Sequence, residues 1–365
     1  MDPKSDSNNL LQQIYYIICH ALGSSWMGIV YAVLSTILNS YAYYAAQVAM
    51  HSVSGFSMLE LVFVCCIIQI VLLLPLIKLM KSPMIFEKDK WLFFFQLSLV
   101  YYWGFVTGFL ALHFIPSSIM LPISATCPFF SMLWSYCILK ERCHWFDGLL
   151  GAISIIGVLL IARPEFIFGK YGQYGKKHVV LNGGVSGSSL ERSYLLGCII
   201  SLLYGAGRGL LFTMHRQCWW DTWEIKPDPT TLAMYPSIMG AIITPTLMLL
   251  SGNTLIVPST TYGIYSLFAC GVFGLLGLLT IALALRTMTA PTFGLIRNLD
   301  IVWAYMFQYF FNHVPPSLWT VGGSVIIVIT TVVVCCREKF NDAICSDQQG
   351  YEKCNIEENE EEDGK

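Results

Sequence analysis

Apolar runs about as long as one bilayer crossing recur from residue 27 to 336, separated by short polar breaks. A hydrocarbon core about 30 Å thick takes roughly 20 apolar residues as a helix. Ten segments meet that length: about 27–49, 58–79, 92–112, 117–139, 145–162, 194–215, 232–250, 262–284, 291–311 and 317–336. The pattern predicts an all-α integral membrane protein with ten transmembrane helices. Leu10 to Leu22 is apolar but too short to cross, so residues 1–26 read as a cytoplasmic N-terminus with an interfacial segment. Residues 163–193, with six glycines, form the longest connection and divide the spans five and five. After the last span, residues 337–365 make an acidic tail expected to be disordered.

Lys and Arg mark the cytoplasmic side of short loops. The connections after spans two, four, six and eight carry Lys78, Lys81, Lys140, Arg142, Arg216 and Arg286, among others. Those after spans one, three, seven and nine carry none, which predicts that both termini are cytoplasmic. Five spans per half is an odd number, so a duplicated half enters the membrane upside-down. Sliding the chain against itself by 173 residues aligns Ala111-Leu112 with Ala284-Leu285, Ile123 with Ile296 and Tyr136 with Tyr309. This predicts two inverted five-helix repeats, 27–162 and 194–336, an arrangement that secondary transporters use to bind substrate near the midplane.

Composition agrees with the bilayer as solvent: only 12% of residues are charged, half the usual soluble share. Met1 to Asn9 lacks the features of a cleavable signal, so the first span is expected to direct insertion. There is no basic patch for nucleic acid. The thirteen cysteines include no CxxC, and most fall inside spans as small apolar residues. Cys335 and Cys336 close the last span beside Arg337 and are candidate palmitoylation sites.

The charges inside the spans are the candidate chemistry. Each costs about 2.5–3.5 kcal/mol at a helix centre, so each needs a partner or a water-filled cavity. On span nine, Arg297, Asp300 and Gln308 share a face with Tyr305 to its side. Arg297 could receive an anion while Asp300 orients it or exchanges a proton; the pair could equally lock the bundle. Span six offers Tyr204 and Arg208 on one stripe, and span one offers Asn39, Tyr43 and Gln47. Arg208 and Arg297 together exceed Asp300 by one charge, which favours a carboxylate or phosphate. Glu60 stands where it could cap span two, and His215 and His313 read as wet interfacial side chains at span ends.

Two stretches, Phe114 to Gly169 with its Leu-Lys-Glu-Arg turn at 139–142, and Gly294 to Phe311, resemble the drug/metabolite transporter superfamily. That superfamily is built from paired EamA-type five-helix units, and the likeness is greatest to the G-type members of solute carrier family 35. The resemblance implies ten helices, cytoplasmic termini and transport of a small polar metabolite. Cys65 stands where such relatives usually carry a basic residue, so no pairing of that kind with Glu60 is expected.

The sequence therefore reads as a secondary transporter of small organic metabolites working by alternating access, with an anionic substrate favoured and no cofactor. The other reading is a non-transporting membrane regulator or scaffold acting through the acidic tail. No GxxxxGK[ST], HxxxH or HExxH pattern occurs, so an enzyme is not expected. The substrate-facing candidates are Arg297, Asp300, Arg208, Gln308, Tyr204, Tyr305, Asn39 and Tyr43.

Overall fold

The computed structural model describes residues 23–52, 57–82, 88–114, 120, 123–140, 145–162, 187–219, 227–250, 260–312 and 318–337. Among these the regular elements are all helices. In chain order they are α1 (Gly23–Ser52), α2 (Met58–Met80), α3 (Lys88–Phe114), α4 (Cys127–Trp134, extended by a π turn over Ser135–Leu139) and α5 (Trp145–Ala162). Then come α6 (Gly187–Gln217), α7 (Pro229–Leu250), α8 (Thr261–Thr287), α9 (Ala290–Ile296), α10 (Leu299–Asn312) and α11 (Leu318–Arg337). Among the described residues, five stretches are long and apolar enough to cross a bilayer: Leu59–Met80, Leu195–Gln217, Pro229–Leu250, Thr261–Thr287 and Leu318–Arg337.

Three sequence expectations change. Helix α6 begins at Gly187, inside the predicted connecting loop 163–193; residues 163–186, the segment 10–22 and the tail beyond Arg337 lie outside the described residues. Span nine is two helices rather than one, with a turn at Arg297–Asn298. There the backbone tightens: the amides of Asn298, Asp300 and Ile301 each donate to the carbonyl three residues back. Such a mid-helix 3₁₀ turn often marks a hinge or strain. Neither Pro nor Gly occupies the turn, so the sequence carries no breaker to announce it. His215, expected to be wet, is fully buried, with Nδ1 2.9 Å from the Leu211 carbonyl. The end of α6 is covered by an apolar cluster from α3, α6, α7 and α8 that includes Phe94, Met214, Leu232 and Ala282.

The helix ends follow local chemistry. Ser57 opens α2 as a capping box: its hydroxyl accepts from the Glu60 amide, and the Glu60 carboxylate accepts from the Ser57 amide at 2.6 Å. Helices α2 and α4 both stop on a left-handed lysine, Lys81 and Lys140.

The halves interlock. Helix α1 packs on α8 and α3 on α6, while α2 packs on both α7 and α8, α7 on α3, and α4 on α6 and α9. The offset of 173 residues also carries Lys88 onto Thr261 and Phe114 onto Thr287, the two ends of α3 and α8. It also carries Leu139 onto Asn312, the ends of the π turn and α10. The turn at Ala125–Thr126 before α4 falls within one residue of the turn at Arg297–Asn298 in the same register.

Lipid tails are as apolar as leucine, so close packing rather than hydrophobicity must join such helices. At α5–α11 this is done by glycine. A Cβ on Gly157 would sit 2.9 Å from the Gly323 carbonyl oxygen, and a Cβ on Gly323 would collide with the Gly157 carbonyl. Both obstacles are backbone and cannot swing aside. Gly322, one residue away, has open space around its missing Cβ. We predict that Gly323→Ala lowers the melting temperature of detergent-purified protein, by an overpacking cost of about 1–3 kcal/mol. Gly322→Ala should leave it unchanged when both are compared by size-exclusion after heating.

Candidate functional site

The broken ninth span supplies the site. Arg297 closes α9 and Asp300 lies in the first turn of α10, so each charge faces the helix end that suits its sign. Arg297 Nη2 lies 2.5 Å from Asp300 Oδ2. The same carboxylate oxygen takes a second guanidinium, Arg208 Nη2 of α6, at 3.2 Å. Both partners of the first pair are buried, Arg297 at 5% exposure and Asp300 at 7%.

Helix α1 forms the opposite wall. The Ser35 carbonyl accepts from Arg297 Nη1 at 3.3 Å and from Asn39 Nδ2 at 2.8 Å, and the Ser40 hydroxyl donates to the Asp300 carbonyl at 2.9 Å. Gly277 of α8 makes room for Asn39: a Cβ there would collide with Asn39 Nδ2. On α6, Arg208 sits between Tyr204 and Phe212, with its guanidinium carbon 5.5 and 5.7 Å from their ring centres. The Tyr204 hydroxyl lies 2.8 Å from that of Tyr43, tying α6 to α1.

Of the eight candidates, Arg297, Asp300, Arg208, Tyr204, Tyr43 and Asn39 are thus drawn into one connected cluster. Tyr305 packs instead against the largest apolar cluster. Gln308 is on α10, and its side chain lies outside the described residues. Cys335 is partly buried and Cys336 exposed, immediately before Arg337, whose ion pair with Asp147 joins α11 to α5. His313 lies outside the described residues.

Sequence reasoning passed over Asn298, whose Nδ2 donates to the Ser154 hydroxyl of α5 at 2.7 Å and so pins the break. An Asn beside a charge in an apolar span is a legible signal. Ser35, Ser40 and Ser154 carry no such signal, because serine in a membrane helix ordinarily bonds its own backbone, as Ser35 also does.

The electrostatics are unbalanced. Among the described residues, two guanidiniums share one carboxylate, leaving one positive charge over, and two buried atoms, Arg297 Nε and Asp300 Oδ1, have no hydrogen-bond partner. Aromatic pairs flank the cluster along the bundle. Phe212 meets Phe293 edge-on at 4.8 Å on one side; on the other, Tyr41 meets Phe273 at 4.6 Å and Phe307 at 5.5 Å.

Leaving a buried charge without its partner costs about 3–5 kcal/mol. Asp300→Asn should therefore destabilise the protein strongly by thermal melting in detergent. Adding Arg208→Gln to it should recover part of the loss, because one of the two stranded cations is then removed.

Comparison with known proteins places the chain. The model of the EamA-like transporter family matches residues 26–163 and again 195–336. Solute carrier family 35 member G1 of Mus musculus is 24% identical over 297 residues, covering 80% of this chain and 74% of the relative. The Homo sapiens protein of that name is 22% identical with the same coverage. A solved crystal structure, 12% identical, has the same fold: its TM-score is 0.64 over 85% of this chain and 97% of its own.

Proposed function

The chain belongs to the EamA-like transporter family and is an integral membrane transporter, and on that premise we propose that it carries small organic anions by alternating access between two inverted five-helix units. The observation that carries the anionic substrate is the surplus guanidinium: Arg208 and Arg297 share the single carboxylate of Asp300. A carboxylate or phosphate entering this cluster would take the donors that Asp300 leaves unused, including Arg297 Nε. It would also neutralise the excess charge, which is costly in a dry interior. Tyr43 and Tyr204 offer hydroxyls to the remainder of the solute.

The two-unit architecture suits this chemistry. Helix ends in the two halves coincide under one offset, and the inter-half contacts come in matched pairs, α1–α8 with α3–α6. Rocking one half against the other would open first one aromatic layer and then the other. The break at Arg297–Asn298 sits between those layers, where a binding site open to each side in turn has to be.

The test is uptake of a labelled panel of organic anions, cations and neutral solutes into liposomes containing purified protein. We expect an anion to be taken up, and Arg297→Gln to abolish its uptake in protein that still reconstitutes. Uptake of cations alone would contradict the anion assignment. No flux across the panel by folded protein, with function lost on deleting Asn341 to Lys365, would favour the scaffold reading.

A further inference from the structure

Two thiols from different halves of the chain touch outside the charge cluster. Cys65 of α2 and Cys270 of α8 lie 205 residues apart in sequence, yet their sulfurs are 3.5 Å apart, and both are buried. Their helices approach closely here because Gly271, next to Cys270, admits Ile68: a Cβ on it would lie 2.9 Å from the Ile68 side chain. Cys66 points elsewhere, its sulfur against Gly240 of α7, so α2 presents only one thiol to α8. A small cavity bordered by Cys65, Cys66 and Gln69 adjoins Cys65 and is about the size of one water molecule.

We propose that Cys65 and Cys270 are a peroxide-oxidised thiol pair whose disulfide staples the two halves together and arrests the carrier. A disulfide needs sulfurs about 2.05 Å apart, so the pair must close by only about 1.5 Å. The oxidant is hydrogen peroxide. One thiol sulfur attacks a peroxide oxygen, the O–O bond breaks, and a sulfenic acid and one water form. The second sulfur attacks the sulfenic sulfur and the S–O bond breaks. The departing hydroxide takes the second thiol's proton and leaves as water. Two thiols are oxidised to one disulfide, and one peroxide is reduced to two waters.

The mechanical consequence follows from position. Cys65 lies seven residues into α2 and Cys270 nine into α8, about 10 and 13 Å from the starts of their helices. The staple therefore sits about a third of the way along both helices of the seam between the halves. Arrest rests on the carrier reading above; formation of the bond does not.

A protease site inserted between Gly183 and Gly184 lets the two be tested apart. After treatment with hydrogen peroxide and cleavage, the halves should migrate as one band on a non-reducing gel and separate on adding dithiothreitol. Cys66→Ser should behave as the parent, whereas Cys65→Ser and Cys270→Ser should each yield separate halves after peroxide. Halves that separate in the peroxide-treated parent, or stay joined in the Cys65→Ser/Cys270→Ser double variant, overturn the pair. In liposomes, peroxide should suppress uptake of the parent reversibly and spare the double variant. A cross-linked parent with undiminished uptake overturns the arrest. Absence of uptake by reduced protein is a failure of the carrier reading and leaves the gel result standing.

Discussion

One carboxylate shared by two guanidiniums in a dry interior is the constraint around which this bundle is organised. A charge at that depth cannot be left to water, so the chain must bring its partners to it. Asp300 does so by meeting Arg297 across a helix break and Arg208 from α6. The break then needs its own support, which α5 provides through Ser154 and Asn298, and α1 through the Ser35 carbonyl and Ser40 hydroxyl. Five helices, α1, α5, α6, α9 and α10, are thus tied together around three ionised groups. The same arrangement that holds the bundle leaves one positive charge and two unpartnered atoms at its centre. Structural locking follows from that arrangement, and the substrate reception proposed above would draw on the same imbalance.

Around that centre, several close helix contacts rely on glycine. Gly157 and Gly323 let α5 and α11 touch backbone to backbone, Gly277 houses Asn39, and Gly271 admits Ile68. Each contact is a fit that a single methyl disturbs. The two layers of aromatic rings have the opposite character: they are large, and they meet edge-on on either side of the charges.

The sequence made the charged members of the cluster legible because ionised and amide groups are conspicuous in apolar spans. Arg208, Arg297, Asp300 and Asn39 stood out on that ground, and Tyr43 and Tyr204 by their helical spacing from them. The register of 173 residues was also visible, and it lands on the ends of α3 and α8. What stayed hidden was tertiary. The turn at Arg297–Asn298 has no Pro or Gly to betray it, and its side-chain supports come from helices distant in sequence. His215 read as a wet span end because nothing local reveals the cluster of Leu232, Ala282 and their neighbours that covers this end of α6. The Cys65–Cys270 contact depends wholly on how α2 meets α8, which spacing along the chain does not encode.

The most direct test of the central claim is ligand-induced stabilisation, since a solute that binds only the folded site raises its melting temperature by mass action. Purified protein would be melted with matched anionic and neutral analogues, alongside Arg208→Gln and Arg297→Gln. The account predicts that an anion, and not its neutral isostere, stabilises the wild type, and that each variant loses this shift. Equal stabilisation by the neutral analogue, or a shift that survives removal of both arginines, would contradict it.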